Sequence, residues 1–469
     1  MKAEFLIIPL KRPQYVSVSE GYMNAIAWSL FDIEFENKPT GSRVGLRYRG
    51  IDKAGQQLVI RFTEPTTDKY ETISKRLEEL GVIGVSQDNL GAKALVNSIV
   101  GVKPEGAKFA PASPMTPSLA MLNNPIGVHG SANPPPDAEI LETIFQLGAT
   151  SDGNTSLAAL WLGALEHRMK LDPLLAAIDA IVNETFFDSK RKARTKLAHT
   201  LPSEFLELTT NSPFTWFHRS WVKLMSEEWV AALPARVWTD WATTLLRCGY
   251  GLAYLWESAW YESMAKLLVG RKGGGVSEIL RLMDPTLPWR FSRSTAEIRD
   301  LSSRLKSRTQ RAHDIRPLIE SWLAESGRKE LESDHALELM AHDDSLVAAL
   351  NSILSGVGKK NTSQHLWEAI KYSLMTREAS ASEADHYGFL RSKGRRFLFA
   401  DPGIEWMTVV ASLSAKSPGS FTHLGEVVRN LSMAGIRPDP RDLVALLEKA
   451  GLARGSADAD HGVVVETAF

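Results

Sequence analysis

The chain of 469 residues is poor in cysteine and has no surplus of either charge. Cys248 is its single cysteine, which excludes an intramolecular disulfide and a cysteine-rich zinc site. Because Cys248 lies in an apolar stretch, we expect it to be a small buried core residue. The 54 Lys and Arg residues nearly balance the 55 Asp and Glu residues, so any contact with nucleic acid must come from local basic patches.

Long hydrophobic segments are also missing. Residues 5–10 are apolar, but this run is too short for the core of a signal peptide and is followed by Lys11 and Arg12. Between Trp241 and Trp256 the only charged residue is Arg247, yet this stretch is too short to cross a bilayer comfortably. These absences predict a cytoplasmic protein that has no membrane partner.

The common catalytic motifs are absent. The chain has no Walker A loop, no G-x-S-x-G elbow and no H-E-x-x-H helix. Glycine-rich residues 270–277 precede a predicted helix and leave two interpretations open, a phosphate-binding nest or a flexible loop. Three His–Asp pairs are either metal ligands or helix caps: His313 with Asp314, Asp334 with His335, and His342 with Asp343. We predict no catalytic residues, no bound metal and no cofactor.

Tryptophan is concentrated in one stretch. Seven of the 13 tryptophans lie within residues 214–268: Trp216, Trp221, Trp229, Trp238, Trp241, Trp256 and Trp260. Residues 234–268 have the length and composition of a helix that its neighbours bury, so we expect the central post of a helical domain. Gly249 and Gly251 in this helix predict close approach by another helix or a ligand. Its carboxylates Asp240 and Glu257 are expected to pair with an arginine such as Arg236 or Arg247.

The fold class predicted is mainly α. A small α/β domain is expected over residues 1–100, with a strand at 4–9, a helix at 17–33 and a hairpin formed by 43–49 and 57–63. Residues 101–136 contain eight prolines and predict an extended linker. A tryptophan-rich helical domain should cover 137–283, including a helix at 190–200. A second helical region should cover 284–400, with separate helices at 294–312 and 314–325.

The last segment, residues 401–469, differs from the rest. Three short helices are predicted at 404–413, 422–433 and 440–450, followed by a polar turn and a strand at 463–465. The apolar and turn positions are Leu424, Val427, Leu431, Gly435, Ile436, Leu443, Leu446, Leu447, Gly451 and Leu452. On these residues the segment resembles a winged helix-turn-helix domain. The resemblance implies a DNA-binding or protein-docking module, with residues 440–450 in the position of the recognition helix.

Basic residues form three runs, at residues 190–196, 290–311 and 391–396. Arg304, Arg308 and Arg311 follow helical spacing and would form one stripe, which is suited to following a phosphate backbone. A charge run is usually a solvated face, but three runs in a nearly neutral chain favour contact of at least one with nucleic acid or an acidic partner. The candidate nucleic-acid-binding residues are Arg304, Arg308, Arg311, Arg437, Arg441, Arg395, Arg396, Lys190, Arg191 and Lys192.

These features favour a non-enzymatic DNA-binding or scaffolding subunit of a multi-protein prokaryotic DNA-handling assembly. The general build resembles accessory subunits of bacterial antiviral defence and restriction systems, which implies DNA and other protein subunits as partners. Two alternatives remain open. One is an enzyme of unrecognised type, with its pocket beside Gly249 and Gly251 or beside residues 273–275. The other is a pure scaffold whose winged helix packs on protein.

Overall fold

The chain is built mainly from α-helices, which confirms the predicted fold class. The computed structural model describes residues 1–13, 19–32, 41–43, 46–49, 59–62, 67–81, 89–99, 112–122, 137–149, 155–187, 192–193, 201, 203–271, 274–283, 287–289, 301–356, 364–376, 387–393, 397–454 and 462–469. Within these ranges the α-helices are α1 (Ser19–Leu30), α2 (Thr67–Glu79), α3 (Leu90–Ile99), α4 (Pro117–Leu122), α5 (Asp137–Leu147), α6 (Leu157–Leu171), α7 (Pro173–Phe187), α8 (Ser203–Thr209), α9 (Pro213–Leu224), α10 (Glu227–Ala232), α11 (Ala235–Val269), α12 (Val276–Leu282), α13 (Ser302–Leu323), α14 (Ser333–His342), α15 (Asp344–Leu354), α16 (Gln364–Leu374), α17 (Ile404–Ser414), α18 (Leu424–Met433) and α19 (Pro440–Lys449).

The strands in the described residues are short. They are β1 (Phe31–Asp32), β2 (Gly41–Arg43), β3 (Leu46–Arg49), β4 (Val59–Phe62), β5 (Lys192–Ala193), β6 (Leu287–Trp289), β7 (Leu390–Lys393), β8 (Phe397–Ala400), β9 (Phe421–His423), β10 (Ile436–Pro438), β11 (Ala453–Arg454) and β12 (Val464–Glu466). Strand β3 pairs antiparallel with both β2 and β4, which confirms the predicted hairpin; the turn between β3 and β4 lies outside the described residues.

Helix α11 is the centre of the molecule, as predicted. It begins after Pro234, runs for 35 residues and ends at Val269, before Gly270. Its side chains are buried nearly all round, because α1, α5, α9 and α12 to α17 all pack against it. The two glycines explain how these neighbours fit. A Cβ on Gly249 would overlap the ring of Phe217 from α9, and one on Gly251 would overlap Ser373 and Leu374 at the end of α16.

The predicted strand at residues 4–9 is wrong. Residues Ala3–Leu6 form a 3-10 turn, and the following residues cross helix α11 without a neighbouring strand. Their backbone groups bond to side chains instead: the Trp260 indole donates to the Leu6 carbonyl at 2.9 Å, and the Ile8 amide donates to the Tyr261 hydroxyl at 3.1 Å. These bonds replace the partner strand that the alternating pattern would otherwise need.

Two further predictions in the helical region need correction. The helix expected over residues 190–200 is wrong at Lys192–Ala193, which form strand β5 and pair with β1. The two helices expected around His313 are one helix, α13, which continues through Pro317. A proline inside a helix costs about 3 kcal/mol or more. Pro317 is exposed, and packing of the flanking turns against α11 offsets that cost.

The structure also differs from the predicted linker. In the middle of residues 101–136, residues 112–121 are buried, and Pro117–Leu122 form helix α4. Helix α4 packs between α1 and α7, where the Ser118 amide donates to Asp179 at 2.7 Å and Asn24 donates to the Ala120 carbonyl at 2.7 Å. Small and apolar residues between the prolines therefore fill a groove between two helices. The predicted domain boundaries remain predictions.

Residues 401–469 form a small unit of three helices and a three-stranded sheet. Helix α17 is followed by strand β9, helices α18 and α19, and strands β11 and β12, with sheet order β11-β12-β9. All pairs in this sheet are antiparallel. Between α18 and α19, strand β10 pairs in parallel with β6 from an earlier part of the chain. The unit packs on α9 and α11 through α17 and α18.

Candidate functional site

The predicted arginine stripe at the start of α13 does not form one exposed row. Arg304 is exposed, but Arg308 is only 4% exposed and lies against α11. There its Nε donates to the Glu262 carboxylate at 2.7 Å, and the Arg311 Nη2 donates to the same carboxylate at 2.6 Å. The expectation is therefore wrong for Arg308. The sequence held a signal that would have found it, because Arg308 lies between the buried Leu305 and Ala312 at core spacing.

Glu262 is the carboxylate that joins these two helices. Its side chain is 6% exposed and also pairs with Lys266 at 3.2 Å. Burial disfavours the charged form, but Arg308, Arg311 and Lys266 outweigh burial and lower the pKa of Glu262 from 4.5 to about 2. The group is thus ionised at neutral pH and acts as a structural anion between α11 and α13.

Glu257, one and a half turns earlier on α11, holds the N-terminal residues. It is fully buried and pairs with Arg12 and, at 3.0 Å, with Arg316 from α13. The expected pairing with an arginine is confirmed, but for Glu257 the arginines are Arg12 and Arg316 and not Arg236 or Arg247. Asp240 does pair with Arg236, at 3.2 Å. Burial, with the charge of Glu257, raises the pKa of the nearby Tyr261 hydroxyl. Burial and Arg12 lower the pKa of His313. Glu257 and Tyr261 thus hold the first residues on the core, through Arg12 and the Ile8 amide.

Three other cations, of which Arg247 and Arg168 are buried and Lys223 is half-buried, cap the carboxyl ends of helices. Arg247 donates to the carbonyls of Ser373 and Met375 at the end of α16, at 3.1 and 2.7 Å. Lys223 donates to the Leu413 and Ala415 carbonyls at the end of α17, at 2.9 and 2.7 Å. Arg168 donates to a carbonyl in the last turn of α10. A cation at a helix carboxyl end satisfies free carbonyls and the helix dipole.

The candidate phosphate loop holds a carboxylate of the protein itself. The Asp334 carboxylate accepts from the Val276 amide at 2.9 Å, at the start of α12, and lies where a Cβ on Gly275 would be. An anion therefore already occupies this helix end. Lys272 and Gly273 lie outside the described residues.

Two of the His–Asp pairs lie at helix ends as caps or exposed groups, whereas His313 and Asp314 lie half-buried inside α13. Asp343 accepts from the Ser345 and Leu346 amides and so caps α15, while Glu332 caps α14 at the Asp334 and His335 amides. Across the described ranges no group of three or more His, Cys, Asp or Glu side chains is arranged to hold a metal ion. Cys248 is buried, as predicted, and the Trp406 indole donates to its sulfur at 3.2 Å.

The other candidate nucleic-acid-binding residues are scattered. Arg437 and Arg441 are exposed, in β10 and at the start of α19, where Asp439 caps the helix. Lys192 lies in β5. Lys190, Arg191, Arg395 and Arg396 lie outside the described residues. Residues 401–469 contain six Lys and Arg against nine Asp and Glu, so the unit that carries Arg437 and Arg441 is acidic overall.

An exposed aromatic side chain marks the sheet of this unit. Phe421 in β9 is 64% exposed, and its ring packs edge-on against His423 with centroids 6.1 Å apart. Both residues lie on one face of the strand, since they are two positions apart. Phe469, which is 41% exposed, packs instead against Trp241 of α11. Phe421 is therefore an aromatic side chain that the sheet leaves exposed.

None of the family models and none of the curated proteins compared with this chain match it. In the portion of the chain that the structure describes, no helix combines the length and apolar character needed to cross a bilayer.

Proposed function

We propose that the protein is a non-enzymatic scaffolding subunit of a multi-protein assembly, and that residues 401–469 dock on a protein partner. The observation that carries this proposal is the use of the basic residues. Arg308 and Arg311 bind Glu262, Arg12 and Arg316 bind Glu257, and the buried Arg247 and Arg168 cap helices. Cations committed to the interior build a rigid support and do not follow a phosphate backbone.

The docking unit is proposed to be a winged helix. Its support is the order of the elements, which is helix α17, strand β9, helices α18 and α19, and strands β11 and β12. Strands β11, β12 and β9 form one sheet. In such a domain α19 would take the recognition-helix position, and the turn between β11 and β12 would be the wing. That turn, residues 455–461, lies outside the described residues.

A protein partner is favoured over DNA by charge. A domain that binds DNA needs a positive face, because phosphates dominate the affinity. Residues 401–469 carry more acidic than basic residues, and Arg429 is paired with Glu426 at 2.7 Å. The exposed Phe421 fits the aromatic anchors that protein interfaces use. We therefore expect a partner surface that is basic and apolar.

The setting proposed is a prokaryotic DNA-handling assembly of the antiviral defence type. In that setting another subunit would supply the chemistry, and this chain would hold subunits in place. The alternative of an enzyme receives no support at the expected positions. The space beside Gly249 and Gly251 is filled by Phe217, Ser373 and Leu374, and Asp334 fills the space beside Gly275.

The test is reconstitution with the products of neighbouring genes. The chain is co-expressed with each neighbour, and complexes are separated by size-exclusion chromatography. We expect one neighbour to co-elute, Phe421→Ala to weaken that complex by about tenfold or more, as for an interface anchor, and Phe397→Ala to leave it unchanged. Phe397 is the matched control because it is 55% exposed but lies outside residues 401–469. A complex that tolerates Phe421→Ala and removal of residues 401–469 would reject this docking unit.

DNA binding by α19 is the second candidate, favoured by one observation. Arg437 and Arg441 are both exposed around the start of α19, where a recognition helix reaches base edges. If this candidate is correct, Arg441→Ala should weaken binding to a preferred duplex and reduce its preference over other sequences. The measurement is competition between duplexes in a gel-shift assay.

A further inference from the structure

Strand β9 has one unpaired edge. It is the outer strand of the sheet β11-β12-β9, and among the described residues β12 is the one strand that pairs with it. Two bonds at the ends of this pairing fix its hydrogen-bonding pattern. The Leu424 amide donates to the Val463 carbonyl at 3.0 Å, and the Thr467 amide donates to the Ser420 carbonyl at 3.3 Å. Both bonds continue the register of β9 and β12, so the backbone groups of Ser420 and Leu424 face β12.

The backbone groups between these two bonds point in alternating directions. Every second residue of an antiparallel pair bonds across the ladder, so Thr422 also faces β12. The amides of Phe421 and His423 and the Phe421 carbonyl therefore face away from β12. Outside the pairing of β9 with β12, none of these three groups has a hydrogen-bond partner among the described residues. A row of this kind is a template for pairing with another extended segment.

The edge is open to solvent and carries an aromatic side chain. Phe421 and His423 are both exposed, and their rings contact each other. Their side chains lie on the outer face of the sheet, because Val465, which is opposite Thr422, is fully buried on the inner face. An added strand would thus meet its backbone partners and an aromatic anchor in the same place.

The same unit already accepts a strand from another part of the chain. Strand β6 pairs in parallel with β10, with Leu287 opposite Ile436 and Trp289 opposite Pro438. Strand pairing is therefore one way in which an element from outside residues 401–469 attaches to this unit.

We propose that an extended segment of the partner subunit adds to the free edge of β9 as a fourth strand of the sheet. This inference rests on the proposed function, because it states how residues 401–469 hold their protein partner. Main-chain bonds to Phe421 and His423 would supply affinity, and alternate side chains of the segment would supply specificity. The segment should place apolar residues beside the Phe421 ring and basic residues next to them, since the unit has nine acidic against six basic residues.

The probe is a set of short overlapping synthetic peptides that covers the sequence of the subunit that co-elutes with the full chain. Binding to the full chain is measured by fluorescence anisotropy. The peptide that binds is then remade with backbone N-methyl groups at every second residue, in two alternating sets. An added strand bonds along one edge and exposes the other, so one set should weaken binding by about tenfold or more and the other should leave it unchanged. Equal effects of the two sets, or no binding peptide from a co-eluting subunit, would overturn strand addition.

Two variants of His423 test the same edge from the side of the protein. Proline lacks the amide and is tolerated in an edge strand where that amide faces away from the ladder. His423→Pro should weaken binding of the peptide about tenfold, whereas His423→Ala keeps the amide and should retain most of the affinity. If His423→Pro does not fold, hydrogen exchange on the wild type decides. Residues 420–424 should gain protection when the peptide binds, and no gain would overturn the proposal.

The outcomes separate strand addition from the proposed function. If no neighbouring subunit co-elutes, the proposed function fails and strand addition fails with it. If a subunit co-elutes and depends on Phe421, but binds His423→Pro as well as His423→Ala, docking by residues 401–469 stands and strand addition is overturned.

Discussion

Individual side chains in this protein join elements that are far apart in sequence. Glu262 joins α11 to α13, and Glu257 joins α11 to Arg12 and Arg316. The burial of Arg308 could be predicted, because it falls at a core position between Leu305 and Ala312. The pairing of Arg12 with Glu257 could not, since 245 residues separate them and any arginine would satisfy the pattern.

Glu262 should make the stability of the protein sensitive to acid. Its pKa is lowered from 4.5 to about 2 in the folded protein. A lowered pKa gives stability that is fully present above about 4.5 and is lost as the pH falls toward 2. Glu262→Gln should therefore cost on the order of 3 kcal/mol at pH 7, and the difference from wild type should shrink between pH 4.5 and 2.

Urea unfolding at a series of pH values measures this difference. Glu278→Gln is the matched control, because Glu278 pairs within one helix with Arg281, whose side chain is 71% exposed. A surface pair of that kind contributes about 0–1 kcal/mol. Equal losses for the two variants at pH 7 would show that the Glu262 ion pairs do not stabilise the contact between α11 and α13.

The sequence predicted the long helices better than the short segments. The length of α11, its burial and the close approach at Gly249 and Gly251 followed from composition and the positions of glycine. The strand at 4–9 and the helix at 190–200 did not, because tertiary bonds decided the backbone there: side chains of α11 hold the first segment, and β1 pairs with Lys192–Ala193. Short segments are the ones whose local preference is overridden most easily.

Gly251 should not tolerate alanine. A Cβ there would lie 2.5 Å from Ser373 Oγ and 2.7 Å from Leu374 Cγ, so α16 would have to move. Overpacking costs about 1–3 kcal/mol, which exceeds the gain of about 1 kcal/mol in helix propensity. Gly163→Ala in α6 is the control, since its Cβ would meet nothing within 4 Å and should stabilise the protein. Thermal melts showing the same sign for both variants would contradict this packing.

Trp241 should be a stability residue of α11. It is 2% exposed and packs against Trp229 and Phe469, with ring centroids 5.9 and 6.1 Å away. Trp241→Ala should cost about 3–5 kcal/mol, the usual range for a buried aromatic side chain. Leu171→Ala, at a position 55% exposed, serves as the control. An unchanged unfolding midpoint for Trp241→Ala would place this ring on a surface and not in the core.

Over the whole molecule, α11 and the helices around it tie both ends of the chain to one core. The N-terminal residues lie across α11, and Lys223 of α9 caps α17 in the C-terminal unit. Such contacts with backbone carbonyls leave no mark in the sequence, because every residue has a carbonyl. That is why the C-terminal unit could be predicted as a set of elements, while its attachment to the tryptophan-rich helices could not.

Lys223→Met should loosen the C-terminal unit. The change leaves the carbonyls of Leu413 and Ala415 without their donor, at a cost of about 1–3 kcal/mol for each buried group. Hydrogen exchange should become faster in residues 404–415 and stay unchanged in α13. Lys449→Met, at an exposed position of α19, should change neither region. Equal exchange rates in wild type and Lys223→Met would show that the cap does not hold α17.

The central claim is that the basic residues build a scaffold for a protein partner and do not bind DNA. A salt titration of DNA affinity tests this claim most directly. Fluorescence anisotropy with a labelled duplex is measured from low to physiological salt for wild type and for Arg304→Ala, Arg437→Ala and Arg441→Ala combined. We predict binding that is weak in the wild type at low salt, absent at physiological salt and unaltered by the three substitutions. Tight binding whose slope of log K against log salt falls by about 0.9 for each arginine removed would contradict the account.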